Sequence, residues 1–137
     1  MAHWLRIDPE LIEEKRTETA FGGRTSLSVS PYEIPEAIKG KLDLANKSIV
    51  VEFKYIDDEP IVLVKGPNVT VELGKNSRRM QRIELKGYDL AGAEQSLDSV
   101  TSAITRFENQ HPSANVKNYE ILVDVLKHEW NRLMRTA

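Results

Sequence analysis

Two apolar repeats at helical spacing occupy the last third of the chain and constrain its fold more than any other feature. The first comprises Leu90, Ala93, Leu97, Val100, Ile104 and Phe107, and the second comprises Val116, Tyr119, Val123, Leu126, Trp130 and Leu133. Steps of three and four residues place side chains on one face of an α-helix. Between the repeats, Pro112 pushes the residue before it out of the helical region. The pattern therefore predicts an antiparallel helical hairpin over residues 89–136.

The preceding part of the chain is typical of β-strands. Apolar and polar side chains alternate over residues 25–30, 48–56, 69–73 and 83–86, and a short apolar run occupies residues 61–64. A period of two is the spacing of a strand, and short connections favour antiparallel neighbours. We therefore predict an antiparallel β-meander of four strands, or of five where residues 25–30 join it. Residues 35–40 are interpreted as one helical turn that ends at Gly40.

The second predicted turn of this sheet can close in two registers. A three-residue loop places the apolar side chains of 69–73 on the face of Leu63, which gives the sheet one apolar and one mostly polar face. A two-residue loop, Gly66-Pro67, places them with Val62 and Val64 instead and makes both faces apolar. A slip of one residue moves every side chain to the opposite face. We prefer the first register, because the second requires a covering segment or another subunit.

The N-terminal segment, residues 1–24, contains a helix-start pattern. Asp8-Pro9 resembles an N-cap followed by proline at the first helical position, and it predicts a short helix through Leu11, Ile12 and Lys15. This helix would cover part of the second sheet face. At 137 residues the chain is expected to form one domain, 1–137, with a β-rich sheet over 25–86. The predicted fold is α+β, with the C-terminal helical hairpin packed on one face of the sheet.

The composition excludes several classes of function. The chain has no cysteine, which removes thiol catalysis and thiolate metal sites. Its net charge of −2 provides no global attraction to nucleic acid or to an anionic membrane. No apolar stretch is long enough to span a bilayer, and the first residues lack the apolar run of a secretory signal. We therefore expect a cytoplasmic protein without a membrane partner.

A basic cluster follows the strand at 69–73. It consists of Lys75, Arg78, Arg79, Arg82 and Lys86. Such a hairpin can neutralise nucleic-acid phosphates, but no aromatic side chain interleaves with the cations to stack on bases. The alternative interpretation is a solvated hairpin whose charges resist edge pairing. An acidic run, Asp57-Asp58-Glu59, occupies the turn before residues 61–64, and the two charged turns could pair head to tail between copies.

The histidines do not form a recognisable catalytic set. Asp124 and His128 share a helical face, but no serine is identified beside them. Arg132 stands where a zincin helix would place its second histidine after His128. The sequence leaves open whether His111 or His128 lines a site. We predict no catalytic residues, no metal site and no cofactor, and the pattern favours a non-enzymatic role.

The surplus of apolar surface favours a small soluble protein-interaction module, namely an adaptor, inhibitor or subunit. Its partner would be another protein or a second copy, as in a homodimer, bound through an apolar sheet or helix face. The candidate interface residues are Trp4, Val62, Val64, Ile121 and Val125. The alternative function is binding of a nucleic-acid backbone by the basic hairpin from Lys75 to Lys86.

Overall fold

The computed structural model describes residues 4–7, 35–87 and 93–136. The strands are β1 (Leu5–Ile7), β2 (Ala37–Asp43), β3 (Ser48–Lys54), β4 (Ile61–Lys65), β5 (Val69–Gly74) and β6 (Met80–Lys86). The helices are α1 (Ala93–Gln110) and α2 (Tyr119–Thr136), with a short 3-10 helix (Pro112–Ala114) between them. The expected helix after Asp8-Pro9 and the expected strand at 25–30 lie outside the described residues.

All pairings in the sheet are antiparallel, in the order β1-β2-β3-β6-β5-β4. The predicted α+β fold is therefore confirmed, with six strands rather than four to five. Consecutive strands are neighbours within β1-β2-β3 and within β4-β5-β6, but β3 pairs with β6 rather than with β4. This arrangement is a Greek key. The acidic run 57–59 consequently lies in a connection between two strands that are not neighbours.

The helical turn predicted at residues 35–40 is wrong, because these residues enter strand β2. Ile38 and Leu42 are buried on the inner face, and Gly40 lies between them on that same face. A Cβ atom at Gly40 would lie 3.2 Å from the Cδ2 atom of Leu133. The glycine therefore allows α2 to approach the sheet closely rather than ending a helix.

The register preferred for the turn after β4 is also wrong. The backbone N–H of Gly66 donates to the carbonyl of Val69 at 2.7 Å, which leaves Pro67 and Asn68 as a two-residue turn. Val64 then lies opposite Val71. As in the alternative register, the apolar side chains of β5 share a face with Val62 and Val64. The two-residue turn is Pro67-Asn68 rather than Gly66-Pro67. Leu63, the neighbour of Val64, therefore lies on the outer face of the sheet.

The core lies between the inner sheet face and the two helices. Its strand residues include Val51, Phe53, Val71, Leu73, Ile83 and Leu85, and its helical residues include Val100, Ile104, Phe107, Leu122, Leu126, Trp130 and Leu133. Burying one such side chain stabilises the fold by roughly 1.5–3 kcal/mol. The predicted pair of helices is confirmed, and the described members of both apolar repeats, from Leu97 onward, lie in the core or pack against it. Gly66 lies close to Phe107, which places the end of α1 over the β4–β5 turn.

Candidate interaction surface

The strand β4 forms an edge of the sheet. Within residues 4–7, 35–87 and 93–136, no strand pairs with its outer side. The N–H of Gly66 bonds the carbonyl of Val69, and the N–H of Lys75 bonds the carbonyl of Pro60 at 2.8 Å. Hydrogen-bonded pairs alternate along an antiparallel ladder. The backbone groups that point towards β5 are therefore those of Pro60, Val62, Val64 and Gly66. The backbone N–H and C=O groups of Ile61, Leu63 and Lys65 therefore point away from the sheet.

The side chains of β4 divide between two environments. Ile61 and Leu63 lie on the outer face with exposures of 51% and 55%. Val62 and Val64 are half-buried on the inner face. Both were predicted from the sequence to be interface residues. Ile56, in the connection before β4, is 54% exposed. The edge thus combines unpaired backbone groups with two adjacent aliphatic side chains.

A row of alternating charges crosses the outer face next to β4. Lys39, Glu52, Arg82 and Glu72 lie opposite one another on β2, β3, β6 and β5, and Leu63 follows on β4. The ion-pair distances along the row are 3.4 Å for Lys39–Glu52, 3.4 Å for Glu52–Arg82 and 3.6 Å for Arg82–Glu72. A cleft of about 690 Å³ lies on this side of the sheet, and its lining includes Ile61. The charges of this row therefore neutralise one another, and the row ends at the apolar Leu63 on β4.

The five cations of the predicted basic cluster do not form one open patch. Lys75 is exposed, whereas the Nε atom of Arg78 donates to the carbonyl of Ala114 at 3.0 Å. Arg82 lies within 3.7 Å of three carboxylates, and the Nζ atom of Lys86 is 3.4 Å from Glu84. Arg82 and Lys86 thus share the carboxylate of Glu84, while Arg78 is bound to a backbone carbonyl in another part of the chain.

Arg79, the remaining member of that cluster, is buried. It is 8% exposed, its guanidinium lies 3.6 Å from a carboxylate oxygen of Glu59, and it stacks over Tyr55 at 4.2 Å from the ring centre. Glu59 also accepts the backbone N–H groups of Asn76 and Ser77, both at 2.8 Å. Sequence reasoning missed this role of Glu59, because a carboxylate that crosses from one turn to another leaves no local spacing signal.

The electrostatics of Glu59 follow from these contacts. Burial by itself would raise the pKa of its carboxyl. The hydrogen bonds from Ser77 and Asn76 and the charge of Arg79 outweigh burial, so the pKa of Glu59 lies below its ordinary value. Glu59 therefore holds the β5–β6 turn as a carboxylate, while Asp57 and Asp58 remain exposed.

The other interface residues predicted from the sequence have different positions. Ile121 and Val125 are 2% and 1% exposed, so they belong to the core. Trp4 is 41% exposed and lies next to the Nζ atoms of Lys39 and Lys41, at 4.9 and 5.0 Å from its ring centre. These cation–π contacts hold Trp4 at the outer face, at the sheet edge opposite β4.

His111 and His128, the histidines among the described residues, belong to different elements of the structure. The Nδ1 atom of His111 lies 3.0 Å from the carbonyl of Phe107, while His128 is exposed on α2. Tyr119 is buried, and burial followed by the nearby Glu108 charge raises the pKa of its hydroxyl. In the part of the chain that the structure describes, no group of three or more acidic or histidine side chains could hold a metal ion.

No protein-family model, curated protein or solved structure matches the chain. Neither α1 nor α2, the helices within the described ranges, is long and apolar enough to cross a membrane. Among the described residues, the edge strand β4 combines unpaired backbone groups with exposed aliphatic side chains.

Proposed function

We propose that the chain is a non-catalytic protein-interaction module, an adaptor, inhibitor or subunit, whose contact surface is β4. One observation carries this proposal: Ile61 and Leu63 are more than half exposed on a strand whose outer hydrogen-bonding groups have no partner strand among the described residues. An extended segment of a partner can add to such an edge as a further strand. Main-chain hydrogen bonds then supply affinity, and side-chain contacts supply specificity.

The exposed aliphatic side chains of β4 would contribute to the free energy of binding. A fully buried aliphatic side chain contributes roughly 1.5–3 kcal/mol, so covering the exposed halves of Ile61 and Leu63 would contribute about 1 kcal/mol each. The adjacent row ending at Glu72 is already paired, so it needs no charged partner but can fix a register. The absence of cysteine fits a reducing compartment, and we propose a cytoplasmic location on that ground.

The contacts of the basic hairpin weigh against the nucleic-acid alternative. Binding of phosphates depends on cations that exchange small counterions for phosphate. Arg79 and Arg82 already lie beside carboxylates of this chain, and Arg78 donates to a backbone carbonyl. Salt-sensitive binding of an oligonucleotide that is lost in a Lys75→Glu, Lys86→Glu double variant would favour that alternative.

Site-specific photocrosslinking tests the proposal. A benzophenone amino acid replaces Leu63 in the full chain, within the cells to which the chain is native. The matched control replaces Leu44, which is 42% exposed in the turn between β2 and β3. We expect a protein adduct from the first position and none from the second.

The adduct is identified by mass spectrometry, and the experiment is repeated in the Ile61→Lys background. We expect the adduct to disappear there, because a charge on β4 opposes burial of the strand. Absence of any adduct in place of Leu63 overturns the proposal. Equal adducts from Leu63 and Leu44 also overturn it, because they report collision rather than a contact surface.

A further inference from the structure

We propose that the partner of β4 is a second copy of this chain, joined by antiparallel β4–β4 pairing with Leu63 at the two-fold axis. This inference rests on the proposed function, since it requires β4 to be the contact surface. Pairing would join the two six-stranded sheets into one continuous sheet. A symmetric contact of this kind uses the same strand on both subunits.

The outward backbone groups fit this register. Ile61, Leu63 and Lys65 present their N–H and C=O groups away from β5, as the bonds of Gly66 and Lys75 require. Antiparallel pairing centred on Leu63 places it opposite Leu63 of the partner subunit. Ile61 then lies opposite Lys65 of the partner subunit, so every outward group meets a complementary one.

The side chains fit the same arrangement on both faces of the sheet. On the outer face, Leu63 contacts its symmetry mate, and the exposed surface of Ile61 lies against the aliphatic stem of Lys65 of the partner subunit. On the inner face, Val62 lies opposite Val64 of the partner subunit. The half-buried valines thereby continue the apolar inner face across the junction.

Charge selects the antiparallel direction. The exposed Asp57 and Asp58 precede β4, and the exposed Lys65 ends it. Antiparallel pairing brings the acidic start of one strand towards the basic end of the other. Parallel pairing would place Lys65 beside Lys65 of the partner subunit and acids beside acids, which is unfavourable. The strand is therefore complementary to itself in one direction.

The size of the contact sets the expected affinity. One pair of five-residue strands buries less than the standard interface of about 1,600 Å². We expect a reversible dimer with a dissociation constant in the micromolar range or weaker. Sedimentation equilibrium of the purified full chain, over about a hundredfold range of concentration, should show a mass that rises from monomer towards dimer.

Substitutions in β4 make the test specific. In the Leu63→Lys variant the new ammonium can pair with Glu72 on β5 within one subunit, so the fold is retained. In a dimer two such ammonium groups would face each other, and we expect association at least tenfold weaker. Leu63→Pro removes an outward donor without touching the bonds to β5, and it should have the same effect. Leu44→Lys is the matched control and should associate like the unaltered chain.

A charge exchange tests the register itself. Ile61→Lys should weaken association about tenfold, because its ammonium would face Lys65 of the partner subunit. Adding Lys65→Glu to the same chain should restore association. The two positions are too far apart along one strand to pair within a subunit, so rescue requires the antiparallel contact.

The outcomes separate this inference from the proposed function. A monomeric mass at every concentration overturns self-pairing, while an adduct to a different protein in place of Leu63 leaves the proposed function standing. Absence of both the dimer and any adduct overturns both. A dimer that is unaffected by Leu63→Lys, Leu63→Pro and the charge exchange also overturns the inference. Circular dichroism verifies the fold of each variant, and the rescue by Lys65→Glu excludes misfolding as the cause of weaker association.

Discussion

The backbone N–H of Met80 donates to the Oδ1 atom of Asn118 at 2.7 Å, although the two residues are 38 positions apart. The Nδ2 atom of Asn118 donates to the carbonyl of Met80 at 3.3 Å and to the hydroxyl of Tyr55 at 2.5 Å. Asn118 is 3% exposed and immediately precedes α2. One amide side chain thus connects the start of a helix with the start of β6 and the end of β3.

Replacing Asn118 by leucine should lower the free energy of unfolding by about 3 kcal/mol. The substitution leaves the buried N–H of Met80 without its Oδ1 acceptor and removes the bond from Asn118 to the Tyr55 hydroxyl, and an unsatisfied buried donor is costly. Urea denaturation followed by circular dichroism and tryptophan fluorescence measures the loss. The control is Asn131→Leu on the exposed side of α2, where we expect a change of less than about 0.5 kcal/mol. Losses of similar size in both variants would contradict a special role for Asn118.

The stability of the protein should depend on Glu59 in acid. Because the folded pKa of Glu59 lies below its ordinary value of 4.5, the unfolded chain takes up its proton first as the pH falls. The unfolded state then binds more protons, so this part of the stability is present above pH 4.5 and is lost as the pH falls through the folded pKa. The Glu59→Gln variant should therefore lose stability less steeply below pH 4.5 than the unaltered protein.

At neutral pH the same variant should be less stable by about 2 kcal/mol, because Arg79 keeps its buried charge without its carboxylate partner. Urea denaturation across pH 3–7 measures both effects, with pH values chosen around the ordinary range of carboxyl groups. Asp58→Asn, at an exposed neighbour, should change the stability at neutral pH by less than about 0.5 kcal/mol. Identical pH profiles for the unaltered protein and Glu59→Gln would refute the prediction.

Arg82 should stabilise the outer face in a salt-dependent way. Its removal in Arg82→Ala leaves Glu52, Glu72 and Glu84 close together on neighbouring strands. Since the side chain of Arg82 is 34% exposed, solvent screens these contacts, and we expect a loss of only about 1 kcal/mol at low salt. Added salt should shrink the loss, because it screens the repulsion between the carboxylates.

Thermal denaturation at two ionic strengths measures the effect of Arg82→Ala. Arg82→Lys should recover part of the lost stability, because a single ammonium replaces a forked guanidinium. Lys86→Ala, at a side chain that is 66% exposed, is the control and should have little effect at either salt concentration. A loss that increases with salt would be inconsistent with a repulsive origin.

The close approach of α2 to Gly40 should make that position intolerant of larger side chains. Gly40→Val should lower the free energy of unfolding by about 2 kcal/mol, because its side chain would collide with Leu133. Combining it with Leu133→Ala should cost less than the sum of the two single changes, since the truncation vacates the contested space. A double-mutant cycle in urea measures this coupling, and strict additivity would show that Gly40 and Leu133 do not interact.

The helices could be predicted because burial on one side imposes a period that a sequence displays openly. Trp130 and Val100 fall on that period and are buried as expected. Strand β2 escaped prediction because Gly40 interrupts its alternation and because glycine is also a common helix terminator. Only the approach of Leu133 explains the glycine, and that contact involves a residue from the other end of the chain.

The face of β4 could not be assigned from sequence, because its run of apolar residues has no alternation to orient it. Leu63 becomes the exposed residue only through pairing with Glu72 on β5. The charges of the basic hairpin present the same difficulty. Their presence is evident in the sequence, but the partnership of Arg79 with Glu59 depends on two turns meeting in space.

Because β6 lies between β3 and β5, we expect the sheet to form in a definite order. The hairpin β2–β3 and the unit β4–β5–β6 each close over short turns, so each can form early and by itself. The seam between them, where Val51 lies opposite Ile83, closes only when both units exist. Truncating Val51 or Ile83 to alanine should therefore mainly accelerate unfolding in stopped-flow experiments, whereas Val64→Ala in β4 should slow refolding. We therefore expect the pairing of β3 with β6, in the middle of the sheet, to form last.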